Sequence, residues 1–286
     1  MDSLSSVLLA YNLGRVTKTI PMTNGKSSMA WRVETISGPV LVKTVPSTEQ
    51  DLLEFALTQA IQDVDSHLTP AILLTQAQQP FISVNKKIYQ VQRFWEHHPS
   101  APTLAAALNC YLKIRKGLDQ FEYDWQPQDP QPLQQLWQKQ HPKLQQTQPA
   151  IYAHLVSQIE SMLLLDQAQE AWVHGDLGRW NLLTMTNKQV GIIDFGQARR
   201  GPRFLDLAAL YHGFMPRQGV ALSVYTERFC HLAGISEADR PLFLATVRLW
   251  LVKGLLVGVE KEPTAVQELW SKIRLITGIE ETGEGC

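Results

Sequence analysis

The sequence has few of the features that mark secreted or nucleic-acid-binding proteins. Its 286 residues include only three cysteines, Cys110, Cys230 and Cys286, with no Cys-x-x-Cys pair, which fits a reducing cytoplasm rather than a disulfide scaffold. The 26 basic and 27 acidic side chains give a formal net charge of −1, so no basic excess indicates nucleic acid or an anionic membrane as a partner. The N-terminus also lacks the charged start of a secretion signal. We therefore expect a cytoplasmic protein that binds neither nucleic acid nor membranes.

Long hydrophobic runs are scarce as well. The most apolar segment, Leu242 to Val259, is interrupted by Arg248 and Lys253. A membrane-spanning helix needs about 20 consecutive residues that are predominantly apolar. We therefore predict a buried amphipathic helix at this place and no membrane span.

A glycine-rich phosphate-binding loop is also missing. Residues 25–27 read Gly-Lys-Ser, but a P-loop needs a second glycine five residues before Gly25, where Ile20 stands. The backbone amides of this loop and the hydroxyls of Ser27 and Ser28 can still cap phosphate oxygens. A plain hairpin turn is an equally good interpretation of the same residues.

The first 95 residues have the pattern of a small unit that mixes strands with one helix. A helix is predicted to start at Ser47, because Gln50 three residues later would complete a capping box. The remaining residues, 96–286, are predicted to be mostly helical, with a short helix in the glutamine- and proline-rich segment 126–149. Strands are predicted at 16–21, 31–36, 40–45, 81–84 and 88–94, and helices at 103–121, 151–169, 205–212, 220–233, 238–259 and 264–276.

Polar residues gather at the ends of a predicted β-hairpin late in the chain. Its strands, 182–185 and 190–193, follow Asp176 and Asn181 and precede Asp194. Because a hairpin brings its two ends together, we expect Asp176 and Asn181 to meet Asp194. Two carboxylates and an amide oxygen suit a Mg²⁺ ion that also holds the phosphates of a nucleotide.

This stretch resembles the protein-kinase-like superfamily, in its aminoglycoside and choline phosphotransferase branch. That branch carries His-Gly-Asp, four residues, Asn, and then a hydrophobic pair that leads into Asp-Phe-Gly. Single Asp, Asn and Gly residues are common in ordinary turns, but the joint pattern is far more specific. The residues that match are His174, Gly175, Asp176, Asn181, Ile192, Ile193, Asp194, Phe195 and Gly196.

The resemblance implies an α+β, two-lobed protein-kinase-like fold. Residues 1–95 would form a nucleotide-binding N-lobe with a small antiparallel sheet and one helix. Residues 96–286 would form a larger, mainly helical C-lobe that carries the catalytic and acceptor-binding site. Within it Asp176 would act as the catalytic base, while Asn181 and Asp194 would hold Mg²⁺.

Lys43 interrupts the apolar strand 40–45, and a buried lysine needs an anionic partner. The resemblance implies that Lys43 contacts the nucleotide phosphates. The resemblance implies that it pairs with a helix glutamate. Glu54 is the natural choice, with Glu49 and Asp51 as alternatives. A surface lysine on an edge strand is the competing interpretation.

Three further positions are assigned by the resemblance. Residues 90–96 align with the family hinge, so the Arg93 carbonyl and the Trp95 amide would bind adenine, although a simple connector fits as well. Asp206 would support the catalytic loop from a helix start. Trp180 occupies a position that is often small in relatives, and we expect it to shape the acceptor pocket. Arg199 and Arg200 are interpreted either as contacts to phosphate or to an anionic acceptor, or as solvated surface arginines.

The predicted function is therefore transfer of the γ-phosphate of ATP, with GTP left open as a donor, to a hydroxyl group of a small molecule. A protein kinase is the first alternative, but protein kinases usually carry arginine where Gly175 stands. A catalytically silent nucleotide-binding regulator is the second. The complete set of Lys43, Asp176, Asn181 and Asp194 argues against it, because binding alone does not require all four.

Overall fold

The computed structural model describes residues 3–22, 29–216, 221–261 and 263–277. Contacts divide the chain into two units, one formed by residues 1–127 and 180–198 and the other by 128–179 and 199–286. The strands are β1 Val16–Met22, β2 Ala30–Thr35, β3 Gly38–Val45, β4 Phe81–Val84, β5 Lys87–Arg93, β6 His97–His98, β7 Ala171–Val173, β8 Leu182–Met185, β9 Val190–Ile192 and β10 Arg199–Gly201. The helices are α1 Ser3–Ala10, α2 Thr48–Val64, α3 Leu104–Asp119, α4 Leu133–Thr147, α5 Pro149–Val156, α6 Ile159–Asp166, α7 Leu205–Phe214, α8 Leu222–Ala233, α9 Arg240–Lys261 and α10 Pro263–Thr277.

The first unit is built on a five-stranded antiparallel sheet in the order β1-β2-β3-β5-β4. Side chains alternate between the two faces of a strand, and here the two faces differ in chemistry. One face buries an apolar cluster together with α1, which includes Val7, Val33, Val40, Val42 and Val91. The other face carries Lys43, Gln90 and Gln92, and it contacts α2.

Helix α2 begins as the sequence predicts. Ser47 is its N-cap, and the Ser47 hydroxyl accepts a hydrogen bond from the Gln50 amide at 3.1 Å. The side chain of Gln50 is buried, and its Nε2 has no hydrogen-bond partner among the described residues. Helix α3 packs closely on α2 at Gly117, where a Cβ atom would lie 3.1 Å from the Ala60 carbonyl oxygen.

The second unit is organised around the long helix α9, which packs against α4, α6, α7 and α10. In the part of the chain that the structure describes, one helix, α9, is long and apolar enough to cross a membrane, judged by length and composition alone. Its apolar side chains form part of the core, with Phe243, Val247 and Leu255 fully buried. Its two interrupting cations are both bonded: Arg248 to the Gln158 side chain at 2.9 Å and Lys253 to two carboxylates.

The predicted α+β fold, with an antiparallel sheet in the N-terminal part and a helical C-terminal part, is confirmed. One predicted helix, 151–169, is wrong in its continuity, because it is split into α5 and α6. The break is stabilised locally, since the Ser157 hydroxyl donates to the His154 carbonyl at 2.8 Å and the Gln158 amide donates to the Leu155 carbonyl at 3.0 Å. Helix α1 and the short strands β6, β7 and β10 were not predicted.

Candidate active site

The loop after β7, in the second unit, is held by one carboxylate. Asp206, in the first turn of α7, accepts the His174 amide at 2.8 Å and the Gly175 amide at 3.0 Å. Asp206 is buried, so these bonds are protected from water. Gly175 has a φ of +82°, a conformation that a residue with a Cβ atom rarely adopts. The structure therefore places Asp206 in the supporting position that the sequence suggested.

His174 and Asp176 belong to the same loop. His174 is buried, and its Nδ1 accepts the Asp176 amide at 3.3 Å. The Asp176 carbonyl in turn accepts the Gly178 amide at 2.9 Å, which closes a tight turn. The Asp176 residue itself is partly exposed. These bonds fix the backbone on both sides of Asp176.

The β8–β9 hairpin, in the first unit, brings Asn181 and Asp194 to the same end. Leu182 pairs with Ile192, and the Ile193 amide donates to the Asn181 carbonyl at 3.0 Å. Asn181 is buried, whereas the Asp194 side chain is 55% exposed. Asp194 also has a φ of +66°, in the left-handed region that is costly for a residue other than glycine.

Lys43 lies between two carboxylates of the first unit. Its Nζ contacts Glu54 Oε1 at 2.8 Å, Glu54 Oε2 at 3.0 Å and Asp194 Oδ1 at 3.2 Å. Burial by itself lowers the pKa of Lys43, but the charges of Glu54 and Asp194 more than offset it and raise the pKa above the ordinary lysine value. Lys43 is therefore a permanent cation, and of the three acidic candidates Glu54 is the one that pairs with it. Glu49 is exposed.

The oxygen ligands in this unit fit a metal ion that arrives with a nucleotide. The described residues contain no group of three or more His, Cys, Asp or Glu side chains arranged to hold a metal. Mg²⁺ is usually bound by one or two carboxylates together with waters and substrate phosphates, so an isolated protein cage is not required. Asn181 and Asp194 supply this kind of partial ligand set. The convergence of Asp176 with them stays a prediction.

The segment predicted as a hinge, residues 90–96, covers the second half of β5 and the residues that follow it. The Arg93 side chain donates to the Ser37 carbonyl at 3.2 Å, and the Arg93 amide donates to the Ala71 carbonyl at 2.9 Å. The Trp95 ring covers Gly191 of β9 so closely that a Cβ atom there would overlap the ring. Gly25 and Ser27, the predicted phosphate-capping residues, lie outside the described residues.

Two polar networks are not apparent from the sequence. Arg199 is buried, and its guanidinium contacts Asp129 at 2.9 Å, so its interpretation as a solvated surface arginine is wrong. Arg200 donates to the carbonyls of Gln169 and Glu170. The second network surrounds Glu54 on the polar face of the sheet. Its members are distant in sequence, so only the folded chain reveals either group.

The comparison with protein families decides the relationship. The model of the phosphotransferase enzyme family (APH) matches residues 21–241, which include Lys43 and the whole motif from His174 to Gly196. The chain belongs to this family. The predicted relationship to aminoglycoside phosphotransferases is thereby confirmed. No curated protein sequence matches this phosphotransferase significantly.

Solved structures agree with the phosphotransferase fold at low sequence identity. An aminoglycoside phosphotransferase from Alicyclobacillus acidocaldarius is 16% identical, with a TM-score of 0.60 over 96% of this chain and 93% of that one. A spectinomycin phosphotransferase in complex with ADP and spectinomycin is 13% identical, with a TM-score of 0.61 over 100% and 95% of the two chains. An amicoumacin kinase in complex with AMP-PNP, Ca²⁺ and Ami is 12% identical, with a TM-score of 0.65 over 98% and 94%.

Proposed function

We propose that this phosphotransferase moves the γ-phosphate of ATP to a hydroxyl group of a small molecule. The observation that carries the proposal is the contact of Lys43 with both Glu54 and Asp194. Burying a lysine between carboxylates gains little stability compared with an apolar side chain of the same size. The arrangement is explained if Lys43 binds phosphate oxygens and Asp194 binds the accompanying metal ion.

Each residue around Lys43 has a proposed role toward the nucleotide. Lys43 would bind the phosphates, and Glu54 would hold its ammonium group in place. Asn181 and Asp194 would hold Mg²⁺, which when bound offsets the negative charge of the phosphates. The Asp194 side chain is half exposed, so a ligand can reach it without a change of the fold.

Asp176 is proposed as the catalytic base. Its carboxylate would accept the proton of the acceptor hydroxyl while that oxygen attacks the γ-phosphorus and the bond to the β-phosphate oxygen breaks. Asp206 and His174 would act only through the backbone of the loop, by holding Asp176 at the correct position.

The remaining donor contacts are proposed from the family pattern. The Arg93 carbonyl and the Trp95 amide would bind the adenine base, and Gly25 and Ser27 would cap phosphate oxygens. Such main-chain contacts leave GTP as an alternative donor. Residues 1–95 would form the nucleotide-binding lobe and residues 96–286 the lobe for catalysis and acceptor binding, in an enzyme of the cytoplasm.

The acceptor is proposed to be a small molecule. The structural relatives named above are antibiotic kinases, and another relative was solved with ADP and streptomycin. The near-zero net charge of this chain gives no special attraction for polycationic aminoglycosides. Trp180 is 60% exposed beside Asn181, and an aromatic surface of this kind suits a ring of the acceptor. A protein substrate is disfavoured because only eight residues, 197–204, separate Gly196 from α7, which leaves no long activation loop.

The test compares Asp176→Asn with the unchanged protein in a screen of hydroxylated metabolites and antibiotics, read as ADP release with Mg²⁺. Loss of the base should lower kcat by roughly a hundredfold or more, while ATP affinity measured by calorimetry stays within about twofold. The matched control is Asp124→Asn, which changes an exposed aspartate of the first unit. Full turnover by Asp176→Asn on a verified acceptor would reject the assignment of the base.

A further inference from the structure

The sheet face that meets α2 is polar although it is buried. Lys43 and Gln90 are directly paired across β3 and β5, and Gln92 lies two residues further along β5. Their exposed fractions are 7%, 0% and 5%. On the opposite face of the same two strands, Val40, Val42 and Val91 are buried in the apolar cluster. Buried amides cost free energy unless every donor and acceptor is bonded, so stability alone does not explain this face.

Gln90 ties α2 to the sheet at two points. Its Nε2 donates to Asp51 Oδ1 at 2.6 Å and to Glu54 Oε2 at 3.4 Å. Asp51 and Glu54 are three residues apart, so both lie on the same face of the helix. Gln92 Nε2 donates to Gln90 Oε1 and approaches Glu54 Oε1 at 3.5 Å. Glu54 is therefore held from one side by Lys43 and from the other by amides.

Asp51 has an unusual environment within this network. It is fully buried, and its Oδ2 has no hydrogen-bond partner among the described residues. Burial, followed by the charge of Glu54, raises the pKa of Asp51 to about 7. The charged and titratable groups around it are Glu54 on α2, Lys43 on β3, Tyr11 after α1 and, through Lys43, Asp194.

We propose that Gln90 and Asp51 are positioning residues for the nucleotide site, which hold Glu54 in the orientation that fixes Lys43. This inference rests on the proposed function, because it assumes that Lys43 binds phosphate. Without the Gln90 amide, both carboxylates lose a donor, and Glu54 is free to turn away from Lys43. An ionised Asp51 adds a negative charge one helical turn from Glu54, which weakens the attraction of Lys43 for phosphate.

The test measures Mg-ATP affinity by calorimetry at pH 6 and pH 8 for the unchanged protein, Gln90→Leu and Asp51→Asn. Gln90→Leu should weaken ATP binding roughly tenfold, because hydrogen bonds to charged groups are the strong ones. Asp51→Asn should bind ATP as the unchanged protein does at pH 6, and severalfold more tightly at pH 8, where only the natural aspartate is ionised. Ionisation of ATP itself is common to both proteins and cancels in the ratio.

The matched control is Gln62→Leu, which removes an amide of the same helix that donates to the Thr69 carbonyl and touches none of these groups. It should leave ATP affinity unchanged, and an equal loss in Gln62→Leu would mean that any loosening of α2 has the same effect. An affinity ratio between Asp51→Asn and the unchanged protein that is the same at both pH values would overturn the proposal, even if Gln90→Leu fails to fold.

The proposed function and the positioning role of Gln90 and Asp51 are distinguished by different outcomes. If the unchanged protein binds no ATP at either pH, the proposed function is wrong and this inference falls with it. If the unchanged protein binds ATP and transfers phosphate, while Gln90→Leu and Asp51→Asn behave identically to it, only the positioning role is wrong.

Discussion

A carboxyl group buried beside a second carboxylate keeps its proton to a higher pH than it does in water, and Asp51 is such a group. In the unfolded chain Asp51 ionises near pH 4, whereas in the folded protein it does so near pH 7. Between these values the folded state binds more protons, so the contribution of Asp51 to stability falls as the pH rises.

The Asp51→Asn variant has no carboxyl group at this position, so its stability should not decrease with rising pH for this reason. Relative to the unchanged protein, the variant should gain on the order of 2 kcal/mol in free energy of unfolding between pH 5 and pH 8. Urea unfolding at the two pH values measures this difference. Asp63→Asn, an exposed change on the same helix, should show no such divergence. A stability difference between the Asp51 variant and the unchanged protein that is the same at both pH values would place the carboxyl in a wetter environment than the structure shows.

At the scale of residues, the sequence indicated the Lys43–Glu54 pair because a lysine in an apolar strand needs an anion. It did not indicate the roles of Asp51, Gln90 and Gln92. Alternation of glutamine with valine in β5 is the usual pattern of a strand with one solvated face. The amides are buried only because α2 packs over that face. Local periodicity does not predict packing between distant segments.

Among the secondary structure elements, β9 is restricted by its contact with Trp95. A Cβ atom at Gly191 would overlap the Trp95 ring and lie 3.2 Å from the Leu68 carbonyl oxygen. Gly191→Ala should therefore destabilise the protein by about 1–3 kcal/mol, as overpacking does, and lower the melting temperature. In a Trp95→Leu background the same change should cost less, because the ring is gone.

The control for this change is Gly254→Ala in α9, where the added Cβ atom would meet Leu269 at an ordinary 3.5 Å. Alanine is favoured over glycine inside a helix, so this variant should be neutral or up to about 1 kcal/mol more stable. Identical losses at Gly191 and Gly254 in calorimetric melting would show that the Trp95 contact is not what restricts β9.

Elements with strong local signals were predictable. The β8–β9 hairpin was expected at 182–185 and 190–193, and it is found at Leu182–Met185 and Val190–Ile192. The strands β7 and β10 were not expected, because each has three residues and exists only through pairing with the other. Their sequences are too short to show an alternating pattern, and their stability comes from a partner 28 residues away along the chain.

At the scale of a whole unit, an ion network joins α6, α9, β10 and the loop before α4 in the second unit. Asp129 contacts Arg199 at 2.9 Å and Lys253 at 2.6 Å, and Lys253 also contacts Asp166 at 2.9 Å. Burial by itself raises the pKa of Asp129, but the charges of Arg199 and Lys253 more than offset this and lower it. The cations depend on this carboxylate, because both are largely buried.

Asp129→Ala should destabilise the protein by about 3–5 kcal/mol, because it leaves buried cations without their partner. Denaturant unfolding should show a lower midpoint with an unchanged slope. The matched control is Glu260→Ala, which removes the exposed Lys139–Glu260 pair and should cost at most about 1 kcal/mol. A loss at Asp129 no larger than that at Glu260 would mean that water reaches the network.

The general arrangement of the chain, a sheet followed by helices, was predictable from the motif between His174 and Gly196, because this motif indicated the fold family. The assignment of segments to units was not. The β8–β9 hairpin lies among residues of the helical part of the sequence, yet its contacts belong to the first unit. No local property of residues 180–198 distinguishes them from their neighbours in this respect.

This interleaving has a consequence for how the protein is made. The chain passes from one unit to the other after residues 127, 179 and 198, so no single cut separates them. During synthesis the first unit cannot close until residue 198 has left the ribosome, and until then the Leu68 carbonyl lacks the Ile192 amide that it accepts at 2.8 Å. Helices α4 to α6 leave the ribosome before residue 198 does. This chain therefore cannot fold vectorially, that is, with an N-terminal domain completing its folding before the next domain begins to fold.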